Sequence, residues 1–181
     1  MNRVQAAGRS VRVPWALSAV DLVLTPACNL RCAYCYQTAR RSGRMPWPVA
    51  KSSIVRLLES RSRPRQVCLT GGEPLLAAPL GRRVVRFIRA TELARHRVRL
   101  DVITNGTLLD DRMAAFLAAH DVGLQISMDG VPAAQALRGA WTYARLDALL
   151  DRLGSRQPHW FRRRVSVAIT LTPATVRHLA E

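Results

Sequence analysis

The chain has 181 residues, 49% of them hydrophobic and 22% charged, and its 28 basic against 12 acidic residues give a formal net charge of +16. A chain of this length and composition can fill the core of one domain, which argues against a disordered tail. No apolar run reaches the ~18 residues that a membrane-spanning helix needs, because the best stretch, residues 15–24, contains Asp21. We therefore expect a soluble protein of one domain.

The first 18 residues carry three arginines and no acidic residue, a pattern found in some targeting segments. Their apolar part is short, is interrupted by Pro14 and continues directly into a predicted strand. We therefore interpret residues 1–18 as an N-terminal extension and residues 19–181 as the folded domain of a cytoplasmic protein.

Hydrophobic periodicity predicts an alternation of strands and helices along the rest of the chain. The predicted strands are rich in branched aliphatic residues: Ala19–Thr25, Gln66–Thr70, Val98–Thr104, Val122–Met128 and Arg164–Leu171. The predicted helices are Pro48–Ser60, Leu80–Arg95, Asp110–His120 and Trp141–Leu153, with Gly154 as a stop and a last helix starting at Thr172 and Pro173. Strands that alternate with helices predict an α/β fold with a parallel sheet, either open or curled toward a barrel.

The basic residues are almost all arginine, since Lys51 is the one lysine in the sequence. They are spread along the chain, with local groups such as residues 61–65 and 162–164, which we interpret as solvated surface. This distribution does not favour nucleic-acid binding, because surfaces that follow phosphates usually combine lysine with arginine. A positive field could equally attract an acidic peptide or an anionic small molecule.

Polar or glycine-rich segments follow four of the predicted strands. In chain order they begin at Cys28, Gly71, Asn105 and Asp129. Because parallel sheets and barrels carry their chemistry at the carboxyl ends of the strands, we expect these segments to meet at one edge and form a site.

Three cysteines, Cys28, Cys32 and Cys35, fall within eight positions just after the first predicted strand. This spacing lets a short curled loop point three sulfurs at one centre, as metal sites require. Disulfides are a poor alternative, because three clustered cysteines cannot all pair and the only other one, Cys68, lies in an apolar strand. We therefore expect reduced thiols and an intracellular protein.

Zinc and iron are the two metals to compare. Structural zinc normally takes four protein ligands, and Cys68 could supply the fourth, although a cysteine in a buried strand is more often a small apolar residue. Three thiolates on a 4Fe-4S cubane leave one iron open for a substrate or cofactor. A zinc-dependent nucleic-acid binder stays as the alternative to an iron–sulfur protein.

Four motifs stand at the predicted strand ends in a fixed order. They are Cys-Asn-Leu-Arg-Cys-Ala-Tyr-Cys-Tyr at 28–36, Gly-Gly-Glu-Pro at 71–74, Thr-Asn-Gly at 104–106 and Ile-Ser-Met-Asp-Gly at 126–130. Together they resemble the radical S-adenosylmethionine (radical SAM) superfamily. The first and last are most similar to its branch that modifies peptides or proteins and often carries a C-terminal SPASM domain.

The resemblance covers most of the chain, about residues 19–175, and implies a partial TIM-type (βα) barrel of about five parallel strands with helices outside. In this superfamily three cysteines hold a 4Fe-4S cluster that binds SAM, and reductive cleavage of SAM gives a 5′-deoxyadenosyl radical that abstracts hydrogen from the substrate. The resemblance implies that Cys28, Cys32 and Cys35 are the cluster ligands. It also implies a peptide or small-molecule substrate and a reductant such as ferredoxin or flavodoxin.

The resemblance further assigns residues to SAM. Tyr34 occupies the position near the adenine, and Gly71 and Gly72 would let the backbone approach the methionine part. Glu73 would accept a hydrogen bond from the SAM amino group. Contacts toward SAM or substrate fall to Asn105 and Ser127, although both residue types also suit turns.

Two departures from the superfamily pattern leave alternatives open. Gln135 and Ala136 replace a usual His-Asp pair that precedes an arginine, here Arg138. The chain also stops shortly after its fifth strand, whereas superfamily barrels usually have six, and no cysteine follows Cys68. It could be a piece of a larger enzyme, a partner of a chain that completes the barrel, or a non-catalytic relative. A glycyl-radical activase is a further alternative.

Overall fold

A computed structural model of the chain describes residues 16–37, 42–91 and 98–178. Its strands are β1 (Ala19–Thr25), β2 (Arg65–Gly71), β3 (Val98–Thr104), β4 (Gly123–Ser127) and β5 (Val165–Ala168). Its helices are α1 (Trp47–Glu59), α2 (Ala78–Ala90), α3 (Asp111–Ala119), α4 (Pro132–Gln135), α5 (Thr142–Arg156) and α6 (Pro158–Arg164). Two 3₁₀ turns, Pro74–Ala77 and Val176–His178, complete the regular elements of these residues.

The five strands form one parallel sheet in the order β1-β2-β3-β4-β5, so each strand pairs with its neighbours in sequence. In register, Val67 of β2 lies opposite Val20 of β1 and Leu100 of β3. Parallel neighbours need crossover connections, and each of the four connections contains at least one α-helix. The predicted α/β fold with five parallel strands is confirmed, and all five carboxyl ends lie at the same edge.

One face of the sheet packs against the helices and forms the hydrophobic core. Alternate strand residues point to this face: Leu22 and Leu24 are buried, while Val23 between them is 47% exposed. Helix α5 contributes Leu146 and Leu153, which lie two turns apart on the same side. Full burial of each such side chain stabilises the fold by about 1.5–3 kcal/mol. The opposite face of the sheet is partly open to solvent at β1.

The predicted bounds of β1 and β3 are confirmed, whereas β4 and β5 are shorter than predicted. β5 begins at Val165, because Arg164 ends helix α6, a helix that the periodicity did not indicate. This helix is anchored by Trp160, which is buried and donates from Nε1 to the Val122 carbonyl at 2.7 Å. This hydrogen bond connects helix α6, which leads into β5, with the residue just before β4.

Helix α5 runs through its predicted stop and continues past Gly154 to Arg156. A Cβ at Gly154 would stand 3.8 Å from the ring of Phe161, which is an ordinary contact, so packing does not require glycine there. Nearer the C-terminus, where a helix start was predicted, Thr172 caps a turn. Its hydroxyl accepts a hydrogen bond from the Thr175 N–H at 3.2 Å.

Two predictions fall partly outside the described residues: the N-terminal extension 1–18 and the end of the helix predicted at Leu80–Arg95. Within the described part, α2 begins earlier, at Ala78, and ends at Ala90. None of the helices in these ranges has the length and apolar character needed to cross a lipid bilayer.

Candidate functional site

Segments from different strand ends are hydrogen-bonded to one another at the carboxyl edge of the sheet. The Gly72 N–H donates to the Thr25 carbonyl at 2.9 Å, and the Glu73 N–H donates to the Ala27 carbonyl at 2.8 Å. These bonds attach the segment after β2 to the start of the cysteine loop, residues 26–37, which follows β1. The expected meeting of strand-end segments is therefore seen directly.

Gly71, the last residue of β2, and Gly72 are required because the backbone of Thr25, at the end of β1, and of Ala27, in the cysteine loop, lies too close for a side chain. A Cβ at Gly71, whose φ is +149°, would lie 2.3 Å from the Thr25 carbonyl oxygen, and one at Gly72 would lie 2.4 Å from that of Ala27. Both distances are below any that real Cβ atoms adopt, and the atoms in the way are backbone. Close approach of the protein to itself thus explains both glycines, independently of the predicted approach of SAM.

The cysteine loop presents three thiols. Cys28 and Cys32 are half-buried and Cys35 is exposed, and none of the chain's four cysteines, all within the described residues, forms a disulfide. The Cys35 N–H donates to the Cys32 carbonyl at 3.1 Å, which curls the loop between them. Leu30 is a buried hydrophobic residue, but no residue of the loop belongs to the main cluster of core side chains among the described residues. The loop therefore lies against the main core cluster and does not form part of it.

The Cys32 thiol lies close enough to the thiols of Cys28 and Cys35 for their charges to interact. Burial raises the pKa of the Cys32 thiol above its ordinary value, and the Arg138 guanidinium opposes this rise. The neighbouring thiols of Cys28 and Cys35 raise it further, because thiolates at these positions would repel one another. A bound cationic centre relieves such repulsion and holds the sulfurs deprotonated.

Three thiols on one loop are compatible with the ligand set of a 4Fe-4S cubane. Within residues 16–37, 42–91 and 98–178, no three His, Cys, Asp or Glu side chains converge closely enough to hold one metal ion. A tetrahedral zinc site would bring its sulfurs to about 4 Å from one another. In a cubane each thiolate binds its own iron, so three sulfurs can stand further apart around one centre. The remaining cysteine, Cys68, lies within β2, where burial raises its pKa to about 11.

Asn105, which follows β3, is hydrogen-bonded to the cysteine loop. Its Nδ2 donates to Sγ of Cys28 at 3.8 Å and to Oδ1 of Asn29 at 2.9 Å. Its Oδ1 accepts from the backbone N–H of Thr107 at 2.9 Å and from the Thr107 hydroxyl at 2.7 Å. The amide is thus directed at protein atoms, including one predicted cluster ligand, where the sequence predicted a contact with SAM or substrate.

Glu73 joins the ends of β2 and β3 from a fully buried position. Its Oε1 accepts hydrogen bonds from the Thr104 hydroxyl at 2.6 Å and the Leu75 N–H at 3.0 Å. Its Oε2 accepts from the backbone N–H of Asn105 at 2.8 Å. Burial raises the pKa of this carboxyl group, although all three hydrogen bonds oppose the rise. Protein donors occupy the carboxylate that was predicted to bind the SAM amino group.

Tyr34 connects the cysteine loop with the segment after β4. Its hydroxyl donates to the Asp129 carboxylate, and the Arg138 guanidinium lies over its ring, 5.3 Å from the ring centroid. Burial and the hydrogen bond to Asp129 raise the pKa of Tyr34. The residue predicted to lie near the adenine is therefore held by an acid and a cation of the protein.

Arg138 and Asp129 form a buried ion pair, with two bonds of 2.9 Å between side chains that are 9% and 0% exposed. Thr170, beyond β5, adds its N–H to Asp129 at 2.9 Å and accepts from Arg138 at 3.0 Å. Burial raises the pKa of Asp129, but the hydrogen bonds from Arg138, Thr170 and Tyr34 outweigh it and hold this pKa below its ordinary value. The pair links the ends of β4 and β5 to the cysteine loop.

Two other positions lie near this pair. Ser127 is the last residue of β4, is half-buried and lies opposite Ala168 of β5. Gln135, which replaces the superfamily histidine, is fully buried; its Oε1 accepts from the Asp129 N–H at 2.7 Å and its Nε2 donates to the Thr142 hydroxyl at 2.8 Å. Gln135 therefore stabilises the turn that carries Asp129.

No role was predicted from the sequence for Asn29, Thr107, Asp129 or Arg138, although Asp129 begins one of the segments expected at the site. Each stands within or near a motif, which is the signal that could have found them. Their contacts, however, join residues far apart in sequence: Asn29 donates to Thr107, 78 positions away, at 2.8 Å, and Tyr34 binds Asp129, 95 positions away. Only the folded arrangement shows such pairs.

A cavity of about 1130 Å³ lies at the opposite, amino-terminal edge of the strands and is lined by Arg63, Arg65, Arg89, Arg99 and Arg164. The donors of Arg89 bind the backbone carbonyls of Val98, His120 and Asp121. Arg65 is buried and donates to the Leu58 carbonyl at 2.6 Å, so the interpretation of 61–65 as solvated surface is wrong at this residue. Four of these five arginines satisfy backbone carbonyl groups and the fifth, Arg99, pairs with Asp101, so the candidate site remains at the other edge.

Comparison with known proteins gives a family match. The model of the radical SAM superfamily matches residues 22–178. The cysteine-type anaerobic sulfatase-maturating enzyme of Clostridium perfringens is 30% identical over 122 residues, 61% of this chain and 33% of that protein. A GTP 3′,8-cyclase of Synechococcus elongatus is 32% identical over 136 residues, 72% of this chain and 40% of that protein. The chain thus spans less than half the length of these relatives.

Solved structures share the fold. The structure described as "Native anSMEcpe with bound AdoMet" has a TM-score of 0.76 at 24% identity and covers 91% of this chain and 46% of that chain. The same protein "with bound AdoMet and Kp18Cys peptide" gives 0.75 at 25% identity, with the same coverage. The predicted partial TIM-type barrel is confirmed, and the predicted cofactors, a 4Fe-4S cluster and SAM, are those that the matched superfamily uses.

Proposed function

We propose that this chain, which belongs to the radical SAM superfamily, holds a 4Fe-4S cluster on Cys28, Cys32 and Cys35, binds SAM, and serves hydrogen abstraction in the modification of a peptide or protein. One observation carries the proposal: three free thiols share one loop that strand-end hydrogen bonds fix to the carboxyl edge of the sheet. When bound, the reduced cluster supplies the electron that cleaves SAM to methionine and a 5′-deoxyadenosyl radical.

The residues of the chain prepare the thiols for this role. Arg138 places a buried positive charge near Cys32 and offsets part of the rise that burial causes in its pKa. The sulfur of Cys28 accepts hydrogen bonds from the Leu30 N–H at 3.4 Å and from the Asn105 amide. Both effects favour the thiolate, which is the form that binds iron.

Of the six residues predicted to contact SAM or substrate, we keep Gly71, Gly72, Glu73, Tyr34 and Ser127. The sixth, Asn105, already directs its side-chain amide at protein atoms. Glu73 already accepts three hydrogen bonds, but a carboxylate has lone pairs for about four, so it can accept one more. Loss of SAM binding in a folded Glu73→Gln variant would support this contact.

Peptide or protein modification is favoured by the likeness to the sulfatase-maturating enzyme in sequence and in structure. A nucleotide substrate is the second candidate, because relatives named GTP 3′,8-cyclase match at similar identity. The electron would come from a reductant such as ferredoxin or flavodoxin. The free thiols support a reducing, cytoplasmic location.

The position and exposure of β5 favour a partner segment at this edge of the sheet. β5 is the last strand in the sheet order, and Val167, Ile169 and Leu171 are 45%, 50% and 56% exposed. A cavity of about 300 Å³ between Asp129 and these last two side chains adjoins the same region. We propose that a further segment, from another chain or a longer polypeptide, covers this edge and completes the barrel. A chain that is monomeric and fully active by itself contradicts this part.

Anaerobic reconstitution with iron and sulfide tests the central claim. We expect about four irons and four sulfides per chain, a cluster spectrum, and 5′-deoxyadenosine when SAM and a strong reductant are added. Cys32→Ala should abolish the cluster, whereas the matched control Cys68→Ala should retain it. Zinc without iron or sulfide overturns the proposal, and a cluster without SAM cleavage removes the enzyme claim and leaves the non-catalytic alternative.

A further inference from the structure

We infer that Asn105 is a positioning residue for Cys28: it donates an N–H to the cysteine sulfur and thereby raises the reduction potential of the cluster bound there. The inference rests on the proposed function, because it concerns the cluster that the three cysteines hold. It goes beyond that function because it assigns to the side-chain amide of Asn105 a measurable effect on the reduction potential of the cluster.

The geometry around the sulfur carries the inference. Asn105 is 8% exposed, and its Nδ2 lies 3.8 Å from Sγ of Cys28, within hydrogen-bonding distance for sulfur. The backbone N–H of Leu30 donates to the same sulfur at 3.4 Å. Cys28 therefore accepts two N–H groups, one from its own loop and one from the end of β3.

The orientation of the amide is fixed by its other partners. Its Oδ1 accepts two hydrogen bonds from Thr107, one of them from a backbone N–H that cannot act as an acceptor. If the amide were flipped, its NH₂ group would face the Thr107 N–H, and two donors would oppose each other. The NH₂ group must therefore point to the sulfur. Asn29 accepts the second N–H of this group and donates to the Thr107 hydroxyl at 2.8 Å, which closes the network.

The backbone of the same residue is also held. The Asn105 N–H donates to the buried carboxylate of Glu73 at 2.8 Å, so the residue is attached to β2 through its main chain and to the cysteine loop through its side chain. A donor held at both ends stays near the sulfur in both redox states. Hydrogen bonds to sulfur stabilise the reduced cluster more than the oxidised one, because reduction adds negative charge to the sulfurs.

The test is a redox titration of the reconstituted chain, followed by electron paramagnetic resonance without SAM. In Asn105→Ala we expect a lower midpoint potential. At the wild-type midpoint the ratio of reduced to oxidised cluster should fall roughly tenfold, which is ~59 mV for one electron. Asn29→Ala, at an exposed position, removes a partner of the amide and should shift the potential in the same direction by less. Gln66→Ala removes an exposed amide at the amino end of β2 and is the matched control.

The outcomes separate this inference from the proposed function. A wild-type chain that binds no 4Fe-4S cluster refutes both. A wild-type chain with a cluster whose midpoint is unchanged in Asn105→Ala and Asn29→Ala overturns the inference alone. If Asn105→Ala does not fold, Asn29→Ala decides the matter: a lowered potential at unchanged iron content supports the inference, and a potential equal to that of Gln66→Ala overturns it.

Discussion

Replacing Arg138 by methionine should destabilise the chain by about 3 kcal/mol at neutral pH. The change keeps the length of the side chain but removes the guanidinium that pairs with Asp129, whose side chain is 0% exposed. Removing one partner of a buried pair typically costs 3–5 kcal/mol, because the other charge stays buried without compensation. We expect the lower end of that range, since Asp129 keeps hydrogen bonds from Tyr34 and Thr170.

The effect should depend on pH with a definite sign. In the wild type the depressed pKa of Asp129 gives stability that is present at neutral pH and is lost as the pH falls through the native pKa, below the ordinary aspartate value. In Arg138→Met, the hydrogen bond and the charge of the guanidinium no longer lower this pKa, so it should lie above its wild-type value. The variant therefore binds the proton earlier, and its deficit should narrow as the pH falls from 7 toward 4.

Urea unfolding followed by far-ultraviolet circular dichroism measures the free energy of unfolding at each pH. Arg156→Met is the matched control, because Arg156 pairs with Asp111 at the surface, where the two side chains are 63% and 50% exposed. Exposed pairs contribute about 0–1 kcal/mol. A deficit for Arg138→Met no larger than that of the control, or one that does not change with pH, refutes the reasoning.

Four further substitutions should separate packing from hydrogen bonding, each measured by urea unfolding. Gly72→Ala should cost at least about 1–3 kcal/mol, because its Cβ would meet the Ala27 carbonyl; a neutral result contradicts the close approach. Gly154→Ala, inside helix α5, should instead stabilise by about 0.5–1 kcal/mol, and a loss of stability would show crowding there. Glu73→Gln should cost about 1–3 kcal/mol, because an amide cannot accept all three hydrogen bonds; an unchanged midpoint contradicts this. Tyr34→Phe should cost about 1 kcal/mol at unchanged iron content, and loss of iron would assign the hydroxyl to the cluster instead.

Periodicity predicted the elements whose residues alternate in burial and missed those set by tertiary contacts. β1 and β3 have the predicted bounds because their aliphatic residues follow the pleat. Helix α6 was missed because three of its seven residues are consecutive arginines, which resemble solvated surface in the sequence, while one buried residue, Trp160, holds it. The stop at Gly154 was wrong because the helix continues through that residue and packs beside Phe161.

The sequence predicts the cysteines of the candidate site as donors but does not predict the contacts that support their loop. The spacing of Cys28, Cys32 and Cys35 indicates a metal centre without any knowledge of the fold. The attachment of Tyr34 to Arg138 and Asp129 depends on how the segment after β4 folds back over the loop, which spacing does not express. Motifs thus point to the donors of a site, and the long-range hydrogen bonds that orient them become visible only in three dimensions.

The separation between the cysteine loop and the hydrophobic core has a practical consequence. Because the main core cluster of the described residues includes no residue of 26–37, we expect the metal to be lost without loss of the fold. Air should strip the centre while leaving a compact apo scaffold that can be purified on the bench and recharged later in a glove box. A damaged cluster should therefore be replaceable by reconstitution, without refolding of the polypeptide.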